Sequence, residues 1–129
     1  MGLVSSLDGK CVLVGEDDCL IADALCDMVR AAGAVPIGPA ATAADAIKLA
    51  MHEELDGVLL NVKLQDSDCM QVAAYLRSRK LPIVLVTGYD RRSLDRRLQD
   101  LPYLSKPVSL SALVEQVTAA FCAAWDHSN

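Results

Sequence analysis

Four apolar runs in this 129-residue chain each end abruptly in a polar side chain. Glu16, Asp17 and Asp18 follow the run from Cys11 to Gly15, and Asn61 follows Val58-Leu59-Leu60. Thr87 follows Ile83 to Val86, and Lys106 follows the short run Tyr103-Leu104-Ser105. Adjacent carboxylates are hard oxygen ligands of the kind that bind Mg²⁺. A hydroxyl and an ammonium opposite them would hold the oxygens of a phosphoryl group. Asn61 stands among them as a neutral amide at the end of its run. This chemistry requires a fold that gathers the four run-ends in one place.

The pattern between them supplies that fold. Lys10–Gly15 reads as a strand ending in acids that can cap a helix. From Cys19, the residues Leu20, Ile21, Ala24, Leu25, Met28, Val29 and Ala32 recur at helical spacing, with Gly33 as terminator. Ala34–Gly38 reads as a second strand, placed at a sheet edge by Pro36. Thr42 caps an alanine-rich helix through Met51. Asp56–Val62, through Val58-Leu59-Leu60, and Pro82–Val86 carry unbroken apolar runs of the kind covered on both faces. A third helix runs from about Met70 to Arg79. Asp90–Asp100 reads as a short helix in which only Leu94 and Leu98 are apolar, with Arg91, Arg92, Arg96 and Arg97 crowding the rest. Pro102–Ser105 is a brief fifth strand. Ser109 caps a final helix with Leu110, Leu113, Val114, Val117, Phe121 and Trp125 on one side. Alternation of this kind gives an α/β fold with a five-stranded parallel sheet, order 2-1-3-4-5, and helices on both faces. The carboxyl edge of such a sheet is where ligands bind.

Composition narrows the classes. Hydrophobic residues form 53% of the chain, enough for one domain spanning 1–129 with a core at about 10–125. A net charge of −5 and 4% aromatic content argue against a nucleic-acid partner. No apolar run reaches the length of a membrane span. Five cysteines without a CxxC pair suggest reduced, mostly buried thiols and a cytoplasmic location. Gly2 and Ser6 fit a loose myristoylation pattern. His52 and His127 read as exposed side chains remote from the run-ends.

A dinucleotide or flavin site fits poorly. The first turn lacks Gly-x-Gly-x-x-Gly, and its three acids would repel a phosphate unless a metal intervened. The set Val12-Leu13-Val14-Gly15-Glu16-Asp17, Leu59-Leu60-Asn61, Val86-Thr87-Gly88 and Tyr103-Leu104-Ser105-Lys106-Pro107 instead resembles the receiver domain of bacterial two-component response regulators. The resemblance spans roughly Lys10 to Trp125 and implies a flavodoxin-like (βα)5 fold. It implies that Glu16 and Asp17 are the Mg²⁺-binding acids, Thr87 the hydroxyl that turns toward the phosphoryl group and Lys106 the lysine that contacts it. Tyr103 takes the place of the aromatic whose rotation follows the threonine. Asn61 falls where the family carries its phosphoaccepting aspartate. Lys63, Gln65 and Cys69 also depart from the family's commoner choices; the residue at Lys63 gives the metal its backbone carbonyl.

These residues lead to a non-enzymatic signalling module of a phosphorelay, acting by protein–protein contact and not phosphorylated at Asn61. Two alternatives stand beside it. One is a phosphate-accepting receiver in which an engineered Asn61 replaces a native aspartate; the other is a flavodoxin-like binder of a small molecule. No cofactor is required, and any Mg²⁺ at Glu16 and Asp17 is expected to bind weakly, with Lys63 or Lys106 partly taking its place. The expected partner is a sensor kinase or an output protein, docking on the face of the fourth helix, fifth strand and fifth helix.

Overall fold

A computed structural model describes residues 7–127 of the chain, with side chains described for 7–123. The pattern at Gly2 and Ser6 and the side chains of Trp125 and His127 lie outside the described residues. The strands are β1 (Cys11–Gly15), β2 (Val35–Ala40), β3 (Gly57–Asn61), β4 (Ile83–Thr87) and β5 (Tyr103–Ser105). They form one parallel sheet in the order β2-β1-β3-β4-β5. The helices are α1 (Cys19–Ala31), α2 (Ala43–His52), α3 (Met70–Ser78) and α4 (Leu110–His127).

Strands β3 and β4 are buried along their whole length, as their lack of alternation requires. Side chains alternate across the sheet, so Val58 and Leu60 face one layer while Leu59 faces the other. Val58, Leu60, Ile83 and Leu85 pack with Ala46 and Ala50 of α2 and Val72, Ala73 and Leu76 of α3. Leu59, Val84 and Val86 pack with Leu25 and Val29 of α1 and Leu113, Val117 and Phe121 of α4. Burying each such leucine or valine contributes about 1.5–3 kcal/mol. The second layer closes tightly: Phe121 is fully buried, and a Cβ on Gly57 would fall within its ring. Only glycine lets the start of β3 approach α4 this closely.

The caps follow the sequence. Asp18 Oδ1 accepts from the amides of Leu20 and Ile21, Thr42 Oγ1 from Asp45, and Ser109 Oγ from Ala112. Strand β2 does lie at the edge but runs past Gly38 to Ala40. The pairing of β1 with β2 shifts register between Leu13 and Gly15, opposite Gly38 at φ +98°. A side chain is strained at that φ, and a Cβ would also press on the Ala40 amide. The shift lets the Ala40 carbonyl accept from the Glu16 amide at 2.9 Å, which fixes the end of β1.

Two expectations need correction. Asp90–Asp100 is not one helix but two single 3₁₀ turns, Arg91–Ser93 and Arg96–Leu98. Two apolar residues in eleven cannot seat a helical face, and Asp95 turns aside to cap the second turn through the Arg97 amide. The apolar face of α1 is also wider than its core contact. Ala22, Leu25, Cys26 and Val29 are buried, while Leu20 is 82% exposed and Ala24 is exposed. Of the cysteines, all free, Cys26 and Cys69 are buried and Cys19 is exposed, so burial explains only part of the set.

Candidate functional site

The sheet edge gathers Glu16, Asp17, Asn61 and Lys106 into one cluster of hydrogen bonds and an ion pair. Parallel pairing sets Gly15 beside Leu60 and Asn61 beside Val86, so β1, β3 and β4 finish level with one another. The Lys106 amide donates to the Thr87 carbonyl at 2.9 Å, carrying β5's register one residue beyond the strand. A cis peptide joins Lys106 to Pro107.

Asn61 is the hub. The two hydrogens of its Nδ2 are shared among three acceptors, Glu16 Oε2 at 3.0 Å, Asp17 Oδ1 at 3.1 Å and the Lys63 carbonyl at 2.7 Å. Three acceptors on one side of a carboxamide fix its orientation, since the oxygen could accept nothing from them. Glu16 is buried. Its Oε2 also accepts from the Asp18 amide at 3.1 Å, and its Oε1 lies 2.8 Å from Lys106 Nζ. That approach is an ion-pair contact outside hydrogen-bond geometry, and it supplies the neutralising charge a buried carboxylate needs. Asp17 is exposed at the mouth of the cluster.

Thr87 is buried nearby, with Oγ1 accepting from the Tyr89 amide at 2.9 Å. Tyr103 is half-buried against the α2–α3 layer, with Arg91 over its ring. Lys63 contributes its carbonyl and leaves its side chain exposed, so of the two lysines considered it is Lys106 that reaches the acids. His52 is exposed.

The loop after Asn61 is a built structure. Lys63 and Asp68 form an antiparallel bridge, and Leu64 and Cys69 are buried beneath it. Burial drives the Cys69 thiol up to about 11. Asp66 accepts from the Ala43 and Ala44 amides at 2.6 and 3.3 Å, which ties this loop to the start of α2. Its carboxyl is held below its usual value, chiefly by the Ala43 amide. No local signal marks Asp66, because its partners lie more than twenty residues earlier.

The arginine-rich segment is mostly self-satisfied. Arg91 donates to the Gln99 and Leu101 carbonyls, Arg97 pairs with Asp95, Arg92 with Asp90, and Asp100 with Arg77 of α3. The face expected from a fourth helix is therefore a pair of turns with its charge largely spent. A different apolar surface lies open beside the cluster. Leu20, Ala24 and Met28 of α1 line a groove of about 430 Å³ with Lys106, Pro107 and Val108.

Mg²⁺ demands near-octahedral oxygen ligation and usually one or two carboxylates with room for water. Here the amide nitrogen of Asn61 engages both acids and the Lys63 carbonyl at once. The residues present do not fit a resident Mg²⁺.

A five-stranded 2-1-3-4-5 sheet with an acidic pair, a threonine and a lysine at its carboxyl edge defines a receiver-type domain. Residues 12–118 match the model of the response regulator receiver domain, and the chain belongs to that family. It is 34% identical over 113 residues to the transcriptional regulatory protein PdtaR of Mycobacterium tuberculosis, covering 84% of this chain and 55% of that one. It is 30% identical over 112 residues to the phyllosphere-induced regulator PhyR of Methylorubrum extorquens, covering 81% and 42%. The chain thus spans about half the length of these curated relatives. Among solved structures, SdrG of Sphingomonas melonis superposes with a TM-score of 0.78 at 30% identity, covering 91% of this chain and 98% of that one. The receiver domain of Erythrobacter litoralis PhyR does so at 0.78 and 28%, covering 91% and 93%. Among the described residues no helix is long and apolar enough to cross a membrane.

Proposed function

We propose that this chain is a cytoplasmic receiver module that signals by protein contact without accepting a phosphoryl group at residue 61. The carrying observation is the state of Asn61. A carboxamide lacks the anionic oxygen that attacks phosphorus, and this one turns its nitrogen into the acidic cluster. The Lys106 ammonium is likewise engaged by Glu16 rather than left to an incoming phosphate.

Intact-mass measurement after incubation with a small phosphodonor such as acetyl phosphate tests the reading. The chain should keep its mass, and Asn61→Asp, given Mg²⁺, should gain one phosphoryl group. A phosphoryl adduct on the unaltered chain would overturn it.

The contact surface supported best is the α1 groove rather than the arginine-bearing turns. Leu20 is 82% exposed, and Asp23 borders the stripe of Leu20, Ala24 and Met28 on the same helix, as does Asp27, which is paired with Arg30. An apolar stripe edged by acids suits an amphipathic helix with basic flanks, presented by a kinase or an output protein. Leu20→Glu should leave the melting temperature unchanged and abolish binding to such a partner. Retained binding would remove α1 from the interface.

A further inference from the structure

We infer that the Asn61 carboxamide is a built-in stand-in for the divalent cation, so that the acidic cluster is closed and ordered without metal. The inference rests on the receiver reading but goes beyond it. That reading requires only that residue 61 cannot be phosphorylated. It does not say how the acids left behind are held together.

Two carboxylates in a confined space repel each other, and Glu16 is buried. Two agents oppose that repulsion here. Lys106 Nζ stands 2.8 Å from Glu16 Oε1 and leaves a single formal negative charge in the cluster. The positive end of the Asn61 amide then bridges the other Glu16 oxygen, Asp17 and the Lys63 carbonyl, at 2.7 to 3.1 Å. A cation binding among these oxygens would bridge the same three groups. To enter, it must first break the amide's contacts with all three groups, which costs free energy. An aspartate at 61 would reverse both effects: it adds a third negative charge and removes the donor.

The substitution therefore does more than delete a nucleophile. It converts a site whose order would depend on metal into one whose order is intrinsic. The β1, β3 and β5 ends, and through Lys106 the rim of the α1 groove, are held in one arrangement whatever the free Mg²⁺.

Thermal unfolding in EDTA and in millimolar Mg²⁺, at matched ionic strength, tests this on the full chain, on Asn61→Ala and on Asn61→Asp. Asn61→Ala keeps the carboxylate count and removes only the amide. The unaltered chain should melt at the same temperature in both buffers. Asn61→Ala and Asn61→Asp should melt lower than it in EDTA, and both should rise on adding Mg²⁺. A Mg²⁺-dependent rise in the unaltered chain overturns the inference. So does an Asn61→Ala protein indifferent to Mg²⁺, since lost charge and not the amide would then explain the refusal of metal. If Asn61→Ala does not fold, calorimetric titration of the unaltered chain with MgCl2 decides, and a saturable heat counts against the stand-in. Mg²⁺ binding without phosphorylation would defeat this inference alone, whereas a phosphoryl adduct on the unaltered chain would defeat the reading that it signals without phosphorylation.

Discussion

The guanidinium of Arg91 lies over the ring of Tyr103, 4.4 Å from its centroid, and the same group donates to the carbonyls of Gln99 at 2.6 Å and Leu101 at 3.2 Å. One side chain thus fastens the two 3₁₀ turns to the start of β5. An isolated turn of this kind has little stability of its own. Arg91 joins buried Leu94 and Leu98 and the Asp100–Arg77 pair in giving the segment between β4 and β5 a fixed course.

Removing it should be costly for a half-buried surface residue. The ring contact contributes about 0.5–1 kcal/mol and hydrogen bonds from a charged donor more. Arg91→Ala should destabilise the fold by about 1–3 kcal/mol in urea unfolding. It should also speed amide exchange across residues 88–101 while leaving β1 and β3 protected. Arg91→Lys should restore little of this, because an ammonium lacks the planar fork that stacks on a ring while donating to two carbonyls. Unchanged exchange in Arg91→Ala would show that Leu94 and Leu98, both buried, hold the segment without it.

The Glu16–Lys106 pair gives a second prediction. Glu16 has a fully buried side chain, whereas that of Lys106 is 22% exposed. Lys106→Met strands a buried carboxylate, and losing one partner of a buried pair costs about 3–5 kcal/mol. Glu16→Gln leaves the ammonium a route to water and should cost less. The double variant should be more stable than the sum of the two losses implies, and the cycle should give a coupling of more than about 1 kcal/mol. Strict additivity in denaturant unfolding would mean that the contact carries no net energy.

The sheet could be read from the chain because its strands need no partner to declare themselves. Val58-Leu59-Leu60 and Ile83 to Val86 are apolar on every residue, which only a doubly covered strand can use. Pro36 marked the edge and Asp18, Thr42 and Ser109 marked helix starts, all through local backbone chemistry. The set Glu16, Asp17, Asn61, Thr87 and Lys106 followed from strand ends and order. What the chain concealed was contact between distant segments. Four arginines in seven residues suggested a charged helical face, but the roles of Arg91, Arg92 and Arg97 depend on where Gln99, Leu101, Tyr103, Asp90 and Asp95 stand. Leu20 looked like core because its spacing matched Ala24 and Met28; helical spacing reports a face, not what covers it. The orientation of the Asn61 amide needed three acceptors from two other places in the chain. Asp66, holding the start of α2 from the loop beyond β3, was invisible for the same reason.

Asp66 leads to the pH dependence. Its carboxyl lies below the ordinary 3.8 because the Ala43 and Ala44 amides favour its charged form. Asp95 is lowered to about 2, chiefly by its hydrogen bonds to Arg97, and Asp100 is lowered by Arg77. A carboxylate with a lowered folded-state value binds its proton less readily than in the unfolded chain. Its contribution is therefore complete above about 3.8 and drains away as the pH falls toward about 2. The urea midpoint should hold steady on the neutral side of that window and drop within it. Salt separates the contributors. The Asp95–Arg97 and Asp100–Arg77 pairs are exposed ion pairs that salt screens, whereas the Asp66 contact is a set of short bonds to backbone amides. At high salt the remaining acid loss should belong to Asp66 and to the bond Asp95 accepts from the Arg97 amide, and Asp66→Asn should reduce it. An acid limb abolished entirely by salt, or unchanged in Asp66→Asn, would rule out the tie between the β3 loop and α2 as its source.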